Sequence, residues 1–301
     1  LIMDNIGNQA VVEVTSSSSS LPLIASGIKL ESDLKFLQNS SGTLTVSGVI
    51  ENGTSDSIVK AGTGRLVLSG ANTYSGTTTV SDGTLETSGS GTLDNATDVT
   101  VAGGANYTVG AADTVKSLDN TGTSTFDADF TTTGNVTNNN TGTVNINAAT
   151  TVQDAFTNNG TINQAGNLSV TNALTNNGTL NVTATSSADV DTFEGAGTGT
   201  VDIDPSTTLT LNQSGDSTYS GIFQNIGMLN KTGGGALTLT GDSTQSGGLN
   251  VQAGTIDTTG GGTLADTNAV VVSSGANYIV GTADTIQSLD NTGTSTVNAA
   301  F

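Results

Sequence analysis

The chain has 301 residues and a formal net charge of −20, with six Lys or Arg residues and no His, Cys or Trp. The missing His and Cys exclude the usual zinc sites and His- or Cys-based nucleophiles. Six cations cannot cover a nucleic-acid backbone, and no run of about 18 apolar residues offers a membrane-spanning helix. Aromatic residues make up only 4 %, so we expect a thin core of Val, Leu, Ile and Ala.

Residues 1–41 are the least repeat-like part of the chain, with "TSSSSSLP" at 15–22 and "LIASGIKL" at 23–30. We expect this part to serve as a cap or entry segment across the first turn. The first residue is Leu and no basic-plus-apolar signal segment opens the chain. The sequence is therefore expected to be an internal piece of a longer repeat array.

A long repeat relates residues 60–130 to residues 231–301 at a constant offset of 171, without gaps and with more than half of the positions identical. The segment "SLDNTGTST" recurs letter for letter at 117–125 and 288–296. The second copy ends at Phe301, the counterpart of Phe130. This duplication predicts further copies in the longer array.

A short period runs through the chain, clearest in "NTGTVNI", "NNGTINQ" and "NNGTLNV", whose glycines Gly142, Gly160 and Gly178 are evenly spaced. Most other glycine-led strand starts keep a similar interval. Each unit alternates apolar and polar residues, which is typical of a strand with one buried face. Such short strands are stable only when stacked on equivalent strands in neighbouring turns. The period predicts an all-β, parallel β-helix (β-solenoid) over 1–301, with turns of about 18–22 residues.

Two other folds are weighed against the solenoid. A β-sandwich with Gly/Asn turns would not repeat fixed residue types at one constant interval. Helices are not expected, because Thr, Asn and Gly are poor helix formers and no helical apolar stripe exists.

Asparagines stand two residues before several of the repeat glycines, where they would stack at one corner of successive turns. An amide ladder along that corner is expected. The residues concerned are Asn120, Asn140, Asn158, Asn176 and Asn291.

The stretch "KAGTGRLVLSGANTYSGTTTVSDGTLET" at 60–87 resembles the passenger-associated repeat of bacterial autotransporters. The pattern is carried by Lys60, Gly62, Gly64, Leu66, Leu68, Gly70, Asn72, Tyr74 and Gly76. The second copy keeps Lys231, Gly233, Gly235, Leu237 and Leu239 but has Ser243 and Gln245 in place of Asn and Tyr.

This resemblance implies a right-handed β-helix that a Gram-negative bacterium secretes and displays outside its outer membrane. It implies a structural or adhesive segment of a repetitive surface protein, with a role in adhesion, as a stalk, or in a biofilm or matrix. Host-cell or matrix ligands would then be its partners. The repeat itself carries no catalytic residues to transfer, so we expect no enzyme activity.

Acidic residues are the only plentiful chemical group, and three pairs at i, i+2 would point both carboxylates to one strand face. Paired carboxylates can do acid–base work or bind calcium. The calcium-binding nonapeptide pattern is absent from the sequence, however, and a solvated surface is the expected interpretation of these pairs. No other cofactor is expected. The pairs are Asp127 with Asp129, Asp189 with Asp191, and Asp202 with Asp204.

Three alternatives remain open. The chain could self-assemble into an extracellular fibre or sheath, since an array cut at both ends exposes strand edges that favour contact with other copies or adjacent repeats. A polysaccharide-active β-helix enzyme would need cations beside carboxylates, and only Lys60 and Arg65 are close in sequence. An ice-binding face would need aligned Thr-x-Thr pairs, which occur at 43/45, 77/79, 123/125, 208/210, 238/240 and 294/296.

Overall fold

The computed structural model describes residues 2–3, 9–14, 22–52, 55–281 and 283–298. These residues form strands, turns and bends and contain no helix, so none of them belongs to a helix that could cross a membrane. They divide into two compact units, residues 1–151 and 152–301. The expectation of a single solenoid over 1–301 stays a prediction.

The first unit winds three parallel sheets, and the chain visits them in turn. The first sheet contains Ala10–Val14, Leu34–Gln38, Ile58–Ala61, Thr78–Val80, Asp98–Val101, Ser117–Asn120 and Val136–Asn138. The second sheet contains Leu23–Ile24, Thr43–Val46, Arg65–Leu68, Thr84–Thr87, Asn106–Val109, Thr123–Phe126 and Thr143–Ile146. The third side carries Ile2–Met3, Ile28–Leu30, Ile50–Asn52, Asp113–Val115, Phe130–Thr132 and Thr150–Val152.

The second unit repeats this three-sided winding. One side carries Leu168–Asn176, Ser186–Glu194, Thr208–Gln213, Met228–Thr232, Leu249–Val251, Ala269–Val272 and Ser288–Asn291. The next side begins with Phe156–Asn158, which pairs with the second half of the long strand Leu168–Asn176. It continues with Ser217–Tyr219, Ala236–Leu239, Thr255–Asp257, Asn277–Val280 and Thr294–Val297. The remaining side carries Thr161–Gln164, Thr179–Val182, Thr200–Ile203 and Ile222–Gln224.

Every strand register described within the two units is parallel, and each coil places a strand beside its counterpart one turn later. The shortest turns include the one that pairs Asn106 with Thr123. The longest described turn pairs Ile2 with Lys29. The prediction of a parallel β-solenoid is thus confirmed, with a wider range of turn lengths than the sequence period indicated.

The core follows from the alternation in the sequence. Leu180 pairs with Ile162 in the preceding coil and with Val201 in the following one, and all three side chains are buried. Each such burial stabilises the fold by roughly 1.5–3 kcal/mol. The intervening Asn181 faces outward and donates to Oδ1 of Asn163 at 2.9 Å. The side chains at each inward strand position therefore form one buried apolar column along the stacked coils.

Aromatic residues are few but all four tyrosines are fully buried: Tyr74, Tyr107, Tyr219 and Tyr278. In the first unit the rings of Phe126 and Phe130 stack with centroids 4.2 Å apart. In the second, the rings of Phe193 and Tyr219 lie 4.8 Å apart. The tyrosine rings therefore contribute to packing inside the coils.

The described residues of the segment 1–41 follow the same coil pattern. Ala10–Val14 pairs in parallel with Leu34–Gln38, and Ile2–Met3 pairs with Ile28–Leu30. The rest of the expected cap, residues 1, 4–8 and 15–21, lies outside the described residues, as does Phe301.

Candidate functional site: the buried corner donors

Tight corners join the strands, and at several of them a buried polar side chain donates a hydrogen bond to the carbonyl of the corner glycine. We call these residues the corner donors. The side chains point inward at or near the end of a strand, two or four residues before the glycine. They are Gln38, Lys60, Asn120, Asn138, Gln213 and Lys231, which donate to Gly42, Gly62, Gly122, Gly142, Gly215 and Gly233.

Lys60 is a charged corner donor with three acceptors. Its side chain is 0 % exposed, and Nζ donates to the carbonyl oxygens of Ala61, Gly62 and Asp82 at 3.2, 2.7 and 2.9 Å. The last of these belongs to the next coil, so the ammonium ties two coils together. A Cβ on Gly83, whose φ is +65°, would lie 2.8 Å from this Nζ. Only glycine fits there.

Lys231 holds the equivalent position in the second copy. It is also 0 % exposed, and Nζ donates to the carbonyls of Thr232 and Gly233 at 2.7 and 3.2 Å. Burial lowers the pKa of both lysines to about 8, opposed by the nearby carboxylates of Asp82 and Asp216. A buried cation needs hydrogen bonds to offset its lost hydration, and the corner carbonyls supply them.

The repeat glycines and leucines surround these corners. Leu66, Leu68, Leu237 and Leu239 are buried in the strand that follows each lysine corner. A Cβ built on Gly64, Gly235 or Gly178 would lie 2.3, 2.1 or 2.1 Å, respectively, from a carbonyl oxygen of the neighbouring coil. At Gly142 it would meet Oδ1 of Asn138 at 2.3 Å. Gly160 is buried as well.

In the first unit an amide pair forms between Asn120 and Asn138, not Asn140. Asn120 pairs with Asn138 in register, and its Nδ2 donates to Oδ1 of Asn138 at 2.8 Å. Asn140 is exposed. The placement of Asn140 in the ladder is wrong because this corner is two residues longer, so the inward asparagine stands four residues before Gly142.

In the second unit Asn158 and Asn176 are both buried, and Nδ2 of Asn158 donates to Oδ1 of Asn176 at 2.7 Å. Nδ2 of Asn176 then donates to the hydroxyl of Tyr219 at 3.1 Å. The Tyr219 ring fills the corner beside Gly195 and Gly221, where a Cβ would lie 2.7 and 2.6 Å from it. The Tyr219 ring thus fills the corner in the later coils, where the asparagine amides fill it in the earlier ones.

Asn291, the fifth predicted ladder residue, is exposed. Its Oδ1 accepts a hydrogen bond from the Gly293 N–H at 3.0 Å, and its inward neighbour in the preceding coil is Val272. The expected amide stack is therefore not formed at this position among the described residues.

The three carboxylate pairs are not brought together into one site. Asp127 and Asp129 lie in the corner after Thr123–Phe126, not on a strand face as expected, because Ala128 between them belongs to the turn. Asp189 and Asp191 do share the outward face of Ser186–Glu194. Asp202 lies on Thr200–Ile203 and Asp204 just beyond it.

Several of these carboxylates already have polar partners on the following coil. The Asp127 carboxylate accepts from Asn147 at 2.7 Å, that of Asp191 from Ser214 at 2.8 Å, and that of Asp202 from Gln224 and Asn225 at 2.5 and 2.7 Å. Within the described residues no group of three or more acidic side chains is placed to hold a metal ion. Calcium binding stays an untested expectation.

Two further buried carboxyls were missed by the sequence reasoning. Asp113 accepts hydrogen bonds from the N–H groups of Leu93 and Thr114, and the Tyr107 hydroxyl lies beside it without a well-formed hydrogen bond. Burial raises the pKa of Asp113 to about 7, although these donors lower it. Asp284 repeats the arrangement with Leu264 and Thr285, and burial raises its pKa too.

The cation pair considered for catalysis is split by the fold. Lys60 points into the core, whereas Arg65 lies on the outer surface and forms an ion pair with Glu86. The Thr-x-Thr pairs are likewise distributed over different sheets: 43/45 and 123/125 lie on the second sheet of the first unit, while Thr79 lies on its first sheet. On the second sheet, Arg65 and Glu86 lie between the pairs 43/45 and 123/125 and interrupt the stacked threonines.

The fold and corners define a class, the β-solenoid repeat proteins with glycine corners. Within that class, the family model of the passenger-associated-transport-repeat matches residues 58–86 and 229–257, the segments that contain Lys60 and Lys231. Comparison with curated proteins and with solved structures gave no match. The chain thus carries two of these repeats, and together with the solenoid they support a segment like an autotransporter passenger.

Proposed function

We propose that the chain is a non-enzymatic, extracellular β-solenoid segment of a repetitive bacterial surface protein, with a structural or adhesive role outside the outer membrane. The observation that carries the proposal is the use of Lys60 and Lys231. Each transport repeat buries its lysine inside the core. The ammonium there holds the corner of one coil, and in the first copy it also holds the next coil. A residue buried in this way serves the scaffold.

The outer surface supports a scaffold role as well. In the strand registers described within each unit, no acidic residue pairs with another acidic residue of the adjacent coil. Asp119 pairs with Thr100 and Thr137, for example, and Asp202 with Asn181 and Gln224. Like charges placed opposite each other destabilise a sheet. This spacing lets a chain of net charge −20 stack its coils.

The test places the chain between a secretion signal and the outer-membrane translocator of a laboratory autotransporter. Protease added to intact cells should remove the chain, and adhesion of those cells to host-cell or matrix layers should exceed that of cells with the translocator alone. A chain that stays protected inside the cell, or that leaves adhesion and cell settling at the translocator-only level, would contradict the proposal.

The enzyme alternative has its own readout. The purified chain is incubated with a panel of acidic and neutral polysaccharides, and new reducing ends or unsaturated products are measured. The proposal predicts none above a Lys60→Met control. Product formation that survives purification and depends on a particular carboxylate would replace the structural role with a catalytic one.

A further inference from the structure

Backbone that non-glycine residues rarely adopt occurs at one corner of the second unit, in two consecutive coils. Ser206 and Asn225 have φ of 64° and 75°, and no other non-glycine residue among those described has a positive φ. Ser206 lies between the strands Thr200–Ile203 and Thr208–Gln213. Asn225 takes the matching place one coil later, because the strands that flank it pair with these two. Backbone strain of this kind clusters at functional sites, so this corner is a candidate for chemistry.

The corner at Ser206 is the turn Asp204–Pro205–Ser206–Thr207, which contains the only Asp–Pro bond of the sequence. Proline in the second place and a positive φ in the third make it a type II turn, where glycine usually takes the third place. The N–H and the hydroxyl of Thr207 both donate to the carbonyl oxygen of Asp204, at 3.1 and 2.7 Å. The Val182 carbonyl is farther from this hydroxyl, at 3.4 Å. Two donors therefore polarise the carbonyl of the Asp–Pro bond.

The side chain of Asp204 can reach this carbonyl. Carboxyl and carbonyl belong to one residue, so rotation about χ1 brings a carboxyl oxygen to the carbonyl carbon, and reactions within one residue are strongly accelerated. Within the described part of the chain, no hydrogen bond or ion pair holds the Asp204 carboxylate elsewhere. Pro205 and Ser206 are exposed, so water reaches the bond.

We propose that the chain cuts its own backbone between Asp204 and Pro205. An oxygen of the Asp204 carboxyl attacks the Asp204 carbonyl carbon, and the negative charge that develops on the carbonyl oxygen faces the two Thr207 donors. The C–N bond to Pro205 breaks, and the carboxyl proton passes to the proline nitrogen, which leaves as a secondary amine. Water then hydrolyses the cyclic anhydride, which restores the side-chain carboxyl and gives Asp204 a new α-carboxyl.

Strand pairing holds the two pieces together after the cut. Thr200–Ile203, in the first piece, pairs in parallel with Ile222–Gln224 in the second. Thr208–Gln213, in the second piece, pairs with Ser186–Glu194 in the first. The cut relieves the strained turn without removing either pairing, so the nicked chain stays one particle until its coils unfold.

The first experiment compares cleavage of the folded and the unfolded chain. The purified chain is held at about pH 5 with or without urea, and the fragments 1–204 and 205–301 are quantified by mass spectrometry. Asp–Pro bonds also break slowly in unfolded chains in acid, so the urea sample gives the intrinsic rate. The folded chain should be cut at least about tenfold faster. Equal or slower cleavage of the folded chain would overturn the proposal.

Substitutions at Thr207 test the two donors. Thr207→Val removes the hydroxyl and should slow cleavage of the folded chain by about tenfold or more, whereas Thr207→Ser should retain the parent rate within about threefold. Thr208→Val makes the same change one residue further on, where the side chain does not contact the Asp204 carbonyl, and is the matched control. Equal rates for Thr207→Val and Thr208→Val would refute the role of the donors.

Relief of the strain gives an independent test that keeps the turn. Ser206→Gly fits the positive φ without cost, so it should slow cleavage of the folded chain by about fivefold or more relative to its own rate in urea. Circular dichroism should report the parent fold. A folded Ser206→Gly chain that is cut as fast as the parent would contradict the contribution of strain.

The route through the side chain has its own signature. In water enriched in heavy oxygen, an anhydride opens at either carbonyl, so the label should be divided between the α-carboxyl and the side-chain carboxyl of Asp204. A contaminating protease labels only the α-carboxyl. Asp204→Ala should abolish the cut. Label confined to the α-carboxyl, or cleavage that persists in Asp204→Ala, would overturn the proposal.

Size-exclusion chromatography of the cut chain at neutral pH tests whether the pieces stay together. A particle of the parent's size that separates only in urea is expected, and pieces that separate without denaturant would contradict the retention. This inference goes beyond the proposed function. It is measured on the purified chain, so a chain that is displayed but never cut would refute the inference alone, and one that is cut but not displayed would refute the proposed function alone.

Discussion

Leu118 and Leu289 occupy the same place in identical nine-residue segments, 117–125 and 288–296, yet only Leu118 is fully buried. Asn120 and Asn291 differ in the same sense: the first is 0 % exposed, the second is on the surface. Both segments form the same strands with the same preceding register. The described residues place a coil after the first segment and none after the second, so burial within the described coils is set by the neighbouring coil as much as by the residue itself.

The two copies also show how different residues fill one position. In the first copy the Tyr74 hydroxyl hydrogen-bonds Thr78 at 2.7 Å, and Thr97 donates to the Tyr74 carbonyl. In the second copy Gln245 replaces Tyr74 and bonds the carbonyls of Gly227 and Gly248. Asn268 replaces Thr97 and donates to Gln245. A larger partner in the next coil compensates for the smaller side chain.

The largest expected difference between the copies comes from Leu118→Asp and Leu289→Asp. The first substitution buries an unpaired carboxylate between two coils and should destabilise the fold by about 4 kcal/mol. The second places the same charge at a half-buried edge and should cost about 1 kcal/mol. Urea unfolding followed by circular dichroism measures both. Equal losses would show that the following coil does not control burial.

Glycine corners give the next effect. Gly83 and its counterpart Gly254 have positive φ, and a Cβ on either would lie 2.4 Å from a carbonyl oxygen. Gly104 and its counterpart Gly275 also have positive φ but open space around them. Alanine at the first pair should cost about 3 kcal/mol, and at the second pair about 1 kcal/mol. Urea midpoints of the four variants test this, and a corner that tolerates Gly83→Ala would refute the tight packing around Lys60.

The buried lysines predict a rise of stability with pH. Burial lowers their pKa to about 8 in the folded chain, whereas the unfolded value is about 10.4. Between these values the unfolded chain binds more protons, so the free energy of unfolding increases with pH, by about 2 kcal/mol per lysine. Below pH 8 the cost of the buried charge is fully present.

Urea unfolding at pH 7.5 and 9.5 measures this rise, because the upper pH stays below the range in which tyrosines of the unfolded chain ionise. Lys60→Met should remove one lysine's share, while Lys116→Met, which changes a surface residue paired with Asp98, should keep it whole. A rise unaffected by Lys60→Met would mean that the ammonium keeps its water in the folded chain.

The smallest effect is a coupling between Gln245 and Asn268. Gln245→Tyr crowds Asn268, and Asn268→Thr removes the donor to Gln245 Oε1, so each single change should destabilise the second copy. The double variant restores the first copy's pair and should recover about 1 kcal/mol. Recovery stays incomplete because Leu249 stands where Thr78 bonds Tyr74. Strict additivity in the double-mutant cycle would contradict the compensation.

Sequence periodicity predicted the coils because a parallel stack needs similar strands at similar intervals. It misplaced Asn140 because two extra residues lengthen a corner without disturbing the strands on either side. It missed Lys60 and Lys231 as corner donors, although "KAG" and "KTG" place them two residues before a glycine, as in "NTG" at Asn120. Lysine as a residue type favours an exposed side chain, whereas the position two residues before a corner glycine indicates a buried donor.

The sequence contains no comparable spacing signal for the buried carboxyls of Asp113 and Asp284. Each carboxylate accepts a hydrogen bond from a main-chain N–H of the preceding coil, that of Leu93 or Leu264. This contact depends on where the third side of the preceding coil ends. Spacing within one repeat does not contain that information. The same holds for Tyr219, which reaches Asn176 across more than one full coil.

Hydrogen exchange at the two identical segments tests the central claim most directly. Because residues 117–125 and 288–296 have the same sequence, their intrinsic exchange rates are equal, and any difference reports the surrounding coils. We predict strong protection of the amides at 117–125 that bond to neighbouring coils and much weaker protection of their counterparts at 288–296. Equal protection of the two segments in the monomeric chain would contradict the account.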